Sequence, residues 1–137
     1  MHFDEVITKY RISSSSEHDK GMRFERLMRA YLLTEPKYAA ILRNVWLWED
    51  FFAREELGST DTGIDLVAET TNDEFWAVQC KFYDSSSTID KPNVDTFLST
   101  SGRTFHDQDG KLAAFSLRVW ISTTDRWTAN AESALHG

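Results

Sequence analysis

Between Gly21 and Leu33 the apolar residues recur at helical spacing. Phe24, Leu27, Met28, Tyr31 and Leu32 fall on one face, and Arg23, Arg26 and Arg29 fall on the opposite, wet side. The spacing predicts a helix over about residues 21–33, stopping before Pro36. Glu25 lies on the border between the two faces. From there its carboxylate either looks along the edge of the sheet that the helix covers or pairs with Arg29 one turn on. Pro36 is placed to open a second short helix through about Arg43, and the aromatic run Asn44-Val45-Trp46-Leu47-Trp48-Glu49-Asp50-Phe51 reads as a strand. Ahead of the first helix, residues 1–12 are expected to form a short helix and Ser13 to Ser16 a flexible connector.

The pattern then changes from helical period to alternation. Two strands are expected, Ile64 to Glu69 and Phe75 to Phe82, joined by the polar turn Thr70 to Glu74 and preceded by the loop Gly58 to Gly63. After a loop containing Ser85, Ser86 and Ser87, a helix is expected from about Pro92 to Thr100, since proline suits a first helical position. A loop follows over Gly102 to Lys111. Leu117 to Ser122 reads as a third core strand, with a helix starting after Asp125 or Thr128. There is no internal repeat. Gly137 interrupts that last helix almost at once, so the chain reads as one domain cut from a longer protein.

Polar residues inside the strand pair raise the chemical question. In the second strand Trp76, Val78, Cys80 and Phe82 share an apolar face, leaving Phe75, Ala77, Gln79 and Lys81 opposite. In the first, Ile64, Leu66 and Ala68 match that apolar face and leave Asp65, Val67 and Glu69 on the other. Opposed residues of an antiparallel pair lie on the same side of the sheet, so closing the hairpin at Glu69 and Phe75 sets Asp65 opposite Gln79, with Lys81 diagonal to the aspartate. The Cβ atoms of such neighbours lie roughly 5 Å apart. A carboxylate, an amide and an ammonium thus converge on one face. An ordinary Asp–Lys pair at a sheet rim, with Gln79 as hydrogen-bonding filler, is the alternative to a reactive site.

Composition narrows the classes. With 137 residues, 41% apolar and 27% charged, the chain suits one domain with its own core. No apolar run approaches a membrane span, and the opening Met1 to Tyr10 lacks a signal-peptide pattern. Cys80 is the only cysteine, which excludes an internal disulfide and a cysteine-based zinc site; a cytoplasmic protein is the expectation. A net charge of -7 argues against simple electrostatic capture of nucleic acid. It remains compatible with an enzyme that meets DNA through bound metal ions, because the metal ligands themselves add negative charge. There is no Walker-type glycine loop, so any ATP use lies outside this chain, and the four histidines show no catalytic spacing.

Taken in order, these residues resemble the PD-(D/E)xK nuclease superfamily, in particular its Mrr-like branch. The Gly63-Ile64-Asp65-Leu66-Val67-Ala68 strand and the Val78-Gln79-Cys80-Lys81 strand carry the likeness. The helix from Gly21 to Leu32 with its acid Glu25, and the stretch Trp120 to Ala134, complete it. A narrower likeness is to the N-terminal nuclease module of the large single-chain type ISP restriction enzymes. It rests on the stretches Lys9 to Leu32 and Val45 to Ala68. The resemblance implies an α/β fold with a restriction-endonuclease-like core: a central mixed β-sheet flanked by helices. It also implies an Mg²⁺-dependent endonuclease acting on double-stranded DNA, with Mn²⁺ able to replace Mg²⁺. Helicase or translocase and methyltransferase domains would stand elsewhere in the parent chain.

On that resemblance Asp65 would be the principal metal ligand, with Gln79 and the backbone carbonyl of Cys80 completing the protein's share of the shell. Glu25 would bind through water or hold a second ion. Lys81 would polarise or deprotonate the attacking water and offset charge on the phosphorane. The superfamily more often has Asp or Glu at the position of Gln79, and a neutral amide oxygen adds no charge to the metal. Asp61 is an accessory carboxylate or a turn residue. Thr123 and Thr124 are placed to touch DNA phosphate or simply to end a strand. The rival reading is a nuclease-like fold used only to dock DNA or protein.

Overall fold

The computed structural model describes residue 5 and residues 16–58, 62–81 and 91–122. The first helix, α1 (Glu17–Thr34), is longer than its apolar stripe required. Ser16 caps it, its hydroxyl accepting the Asp19 N–H at 3.0 Å, so the last serine of the expected connector is part of the helix start. The helix ends where Glu35 turns extended ahead of Pro36, a position at which helical backbone is disfavoured.

The second helix corrects the expectation. Pro36 does open α2, but α2 covers only Pro36–Ala39, and Leu42 and Arg43, expected to prolong it, start strand β1 (Leu42–Leu47), the rest of which lies in the run read as strand. Pairing with β2 decides this: Leu42 to Leu47 lie antiparallel to Leu66–Thr70, and inward Leu42 and Val45 are buried. The aromatic run therefore splits. Its first part is strand, Trp48–Asp50 form a 3-10 turn, and a short helix α3 (Arg54–Leu57) follows.

Strand β2 (Leu66–Thr70) and strand β3 (Phe75–Lys81) form the expected hairpin, with Glu69 opposite Phe75 and Leu66 opposite Val78. At its turn Thr70 Oγ1 accepts the N–H groups of Asn72 and Glu74, and Asp73 takes a positive φ of 64°. Helix α4 (Lys91–Ser101) brackets the expected 92–100. The loop expected over Gly102 to Lys111 contains strand β4 (Thr104–His106), and β5 runs over Leu112–Ser122, well ahead of Leu117. The hairpin turn Asp107 to Gly110 joins them, Asp107 Oδ1 accepting from the Asp109 and Lys111 N–H groups.

Among the described residues the result is a mixed five-stranded sheet in the order β1-β2-β3-β5-β4, with β3 and β5 parallel and the other pairs antiparallel. Helices flank it, as the restriction-endonuclease-like fold requires. On one face α1 presses Phe24, Met28 and Leu32 onto Leu66, Ala68, Val78 and Cys80. The opposite face, expected to hold Asp65, Gln79 and Lys81 beside Val67, Phe75 and Ala77, carries a second core. There Phe51, Leu57, Phe97, Phe105 and Phe115 pack on Val67, Phe75 and Ala77. Interior strands with helices or loops on both sides need apolar residues on both faces. Ile64 belongs to this second core rather than with Leu66 and Ala68, because it precedes the strand and escapes its alternation.

Apart from residue 5, the expected helix over residues 1–12 lies outside the described residues, as do Ser13 to Ser15, Asp61, Phe82, the Ser85 to Ser87 loop, Thr123, Thr124 and the helix after Asp125. Among the described residues no helix is long and apolar enough to cross a membrane.

Candidate active site

The hairpin register is the one the alternation demands, but the ladder closes at Leu66 and leaves Asp65 just outside it. Its main chain is nevertheless clamped on both sides. Asp65 N–H donates to the Val78 carbonyl at 2.9 Å, and the Asp65 carbonyl accepts the Trp48 N–H at 2.8 Å. Its carboxylate then reaches across the hairpin, where Oδ2 accepts the main-chain N–H of Cys80 at 2.8 Å.

The approach to Asp65 is shaped by Gly63, whose φ of +75° is open to glycine at little cost. A Cβ on Gly63 would stand 2.9 Å from both Cα and N of Phe97, so the loop lies directly on the backbone of α4. Gln79, 2% exposed in β3, directs its side-chain amide at this corner. With its nitrogen turned inward, the amide donates to the Gly63 carbonyl and, at 3.2 Å, to Asp65 Oδ2.

Glu25 comes from the border of α1, and of its two alternatives the structure selects the cleft. Arg29, the suggested partner, instead donates its Nε to the Val45 carbonyl at 2.7 Å. Glu25 meets Asp65, and burial together with the charge and hydrogen bond of that second acid pushes its carboxyl up to about 8. Glu49 adds further repulsion and Lys81 partly relieves it. The Asp65 carboxyl is also raised, chiefly by burial, against the opposing pull of the Cys80 N–H, Glu25 and Lys81. The Cys80 thiol is held well above its ordinary value by burial and the two acids, consistent with a core side chain whose backbone alone faces the site.

These residues line one cleft of about 460 Å³, shared by Glu25, Asp65, Gln79 and Lys81 with Met22, Arg26, Leu47, Trp48, Glu49 and Thr62. Glu49, on the 3-10 turn after β1, escaped sequence reasoning, which carried the strand through it. An acid directly after an apolar strand was the available signal.

Lys81 only partly offsets the charge of the two carboxyl groups brought together in this way. Among the described residues no three His, Cys, Asp or Glu side chains gather as a metal cluster. The donor set is instead two carboxylates and an amide, without sulfur or imidazole, which suits a hard divalent cation. The residues present fit such an ion.

Residues 33–137 match the Mrr_cat_2 family, described as restriction endonuclease. The chain belongs to that restriction endonuclease family. The match begins near the end of α1, so Glu25 lies outside it while the hairpin lies within. Among solved structures, this endonuclease chain is similar to the ATP-dependent Type ISP restriction-modification enzyme LlaBIII bound to DNA, at 29% identity and a TM-score of 0.71. The alignment covers 99% of this chain and 7% of that one. No curated protein sequence matches it. The likeness to the Mrr-like branch and to type ISP enzymes is thereby upheld for the restriction endonuclease chain.

Proposed function

We propose that this chain is the DNA-cleaving part of a type ISP-like restriction-modification enzyme and hydrolyses phosphodiester bonds of double-stranded DNA with Mg²⁺. The observation that carries the reading is the placement of Glu25 and Asp65 side by side, with Lys81 acting on both, in one cleft. A docking surface has no need of two acids set against each other in a partly buried cleft, Asp65 pushing the Glu25 carboxyl up while burial raises its own.

Asp65, Glu25, the Gln79 amide oxygen and the Cys80 carbonyl would hold the Mg²⁺, with Mn²⁺ able to replace it. Once bound, the ion supplies Lewis acidity at a phosphate oxygen and fixes its orientation. Asp65 is held for this by its main-chain clamps and by Cys80 N–H. Lys81, half-buried at the end of β3, would orient and polarise the attacking water, whose proton passes to solvent, and would offset charge as the P–O ester bond breaks. The leaving oxygen takes a proton from solvent. Arg26, exposed at the cleft, is placed to meet the phosphate backbone. With a net charge of -7, most DNA affinity would come from other parts of the parent protein, such as a translocase and a methyltransferase.

The test is nicking of supercoiled plasmid by the full-length parent with Mg²⁺ and ATP, in wild-type form and as Asp65→Ala and Lys81→Ala. Both variants are expected to lose cleavage while keeping ATP hydrolysis. Cleavage by both at the wild-type rate removes the site.

A further inference from the structure

Gln79 stands where the resemblance leads one to expect an acid, and its surroundings differ from those of a residue that merely offers an oxygen. Its side chain is 2% exposed in β3, between β2 and β5. Both groups facing its end are acceptors: the Gly63 carbonyl and Asp65 Oδ2. With the amide oxygen turned inward, three oxygens would confront one another, and the Cys80 N–H already given to Asp65 Oδ2 would be the one donor identified among them. With the nitrogen turned inward, each of its two protons has a partner. A carboxylate has no such proton, so Asp or Glu could not make these bonds.

The two acceptors are fixed independently. Gly63 is held by its left-handed backbone and by the close approach of the Phe97 main chain on α4. Asp65 is held by Trp48 and Val78. A donor between them ties the α4-backed loop to the carboxylate.

We propose that Gln79 is a positioning residue that acts through its nitrogen: the side-chain NH₂ bridges the Gly63 carbonyl and Asp65 Oδ2 and thereby sets where the Asp65 carboxylate points. This rests on and deepens the nuclease reading, while the bridge itself exists without metal or DNA. Gln79 Oε1 stays available to the cleft. The glutamine at this position is then required for its donors, and an acid is a poor replacement despite its charge.

The measurement is NMR on the ¹⁵N,¹³C-labelled metal-free wild-type chain, with the exposed amide of Gln108 as internal reference. The expected result is a scalar coupling across the hydrogen bond from Gln79 Nε2 to the Gly63 carbonyl carbon, with both Gln79 amide protons exchanging far more slowly than those of Gln108. No coupling, with exchange as fast as at Gln108, overturns the proposal. It can fail in this way while the nuclease assignment stands, and it can hold if cleavage is never found. A second arm titrates Mn²⁺ into wild type and Gln79→Glu and follows thermal unfolding. The bridge predicts a lower Tm for the variant and no gain in Mn²⁺ affinity. An affinity gain of about tenfold or more with an unchanged Tm would mean that position 79 serves through its oxygen alone and would overturn the bridge. If the variant does not fold, the wild-type spectrum decides.

Discussion

Asp65 Oδ2 and the main-chain N–H of Cys80 meet at 2.8 Å across the hairpin, so a side chain closes the strand pair where the backbone ladder has already ended. The same bond lowers the cost of keeping a half-buried carboxylate ionised. Removing it separates structure from chemistry. Asp65→Ala leaves the Cys80 N–H without that acceptor and is expected to cost about 1–3 kcal/mol, whereas Asp65→Asn, which retains an accepting oxygen, should cost less than about 1 kcal/mol. Urea denaturation of the metal-free proteins checks the order; equal losses would mean that the bond contributes nothing.

Glu25 makes stability depend on pH. Its folded value of about 8 lies above its ordinary 4.5, so between those values the folded chain holds a proton that the unfolded chain has released. Metal-free stability should therefore fall as pH rises from about 5 to about 8 and level off above. Because the group keeps part of its hydration, the expected drop is about 1–2 kcal/mol rather than the full-shift value. Glu25→Gln should flatten this slope, which thermal unfolding across the range will show.

Divalent-ion binding is coupled to the same proton. On the proposed reading Mg²⁺ would compete with the proton shared by Glu25 and Asp65, so its affinity should rise between about pH 6 and about 8, with proton release on binding. Calorimetry in buffers of different ionisation enthalpy measures that release. In Glu25→Gln the pH dependence should weaken.

Gly63→Ala tests the seat of the loop on α4. The new methyl would stand 2.9 Å from the Phe97 backbone at a φ of +75°. The expected loss is about 2–4 kcal/mol from strain and overpacking together. Hydrogen exchange should show the damage at the Asp65 and Cys80 amides as well as at α4. A loss below about 0.5 kcal/mol would mean that the loop simply moves aside.

Phe97 anchors the other side of that contact, 1% exposed and edge-on to Trp120 with ring centroids 5.8 Å apart. Phe97→Ala should cost about 3–5 kcal/mol, as for other fully buried aromatics. Chemical denaturation gives the number.

Much of this was legible along the chain. The stripe Phe24, Leu27, Met28 and Leu32 specified a helix because a 3.6-residue period can bury one face only, and alternation in Phe75 to Lys81 specified a strand for the corresponding reason. The hairpin register followed from matching apolar faces, since a slip of one residue would turn every side chain over. These are local rules, and local rules read well from one sequence. Leu42 and Arg43, expected in a helix, did not, because the start of that strand depends on a partner distant in sequence, Leu66 to Thr70, to take its hydrogen bonds. Strand β4 was hidden in a polar loop for the same reason. Asp65, Gln79 and Lys81 were brought close by sequence alone, through a short turn. The meeting of Glu25 and Glu49 with them, and the lodging of Gly63 on Phe97, belong to the tertiary structure. Helix α1, the turn after β1 and helix α4 reach the hairpin only through packing on the sheet, and no spacing along the chain encodes that.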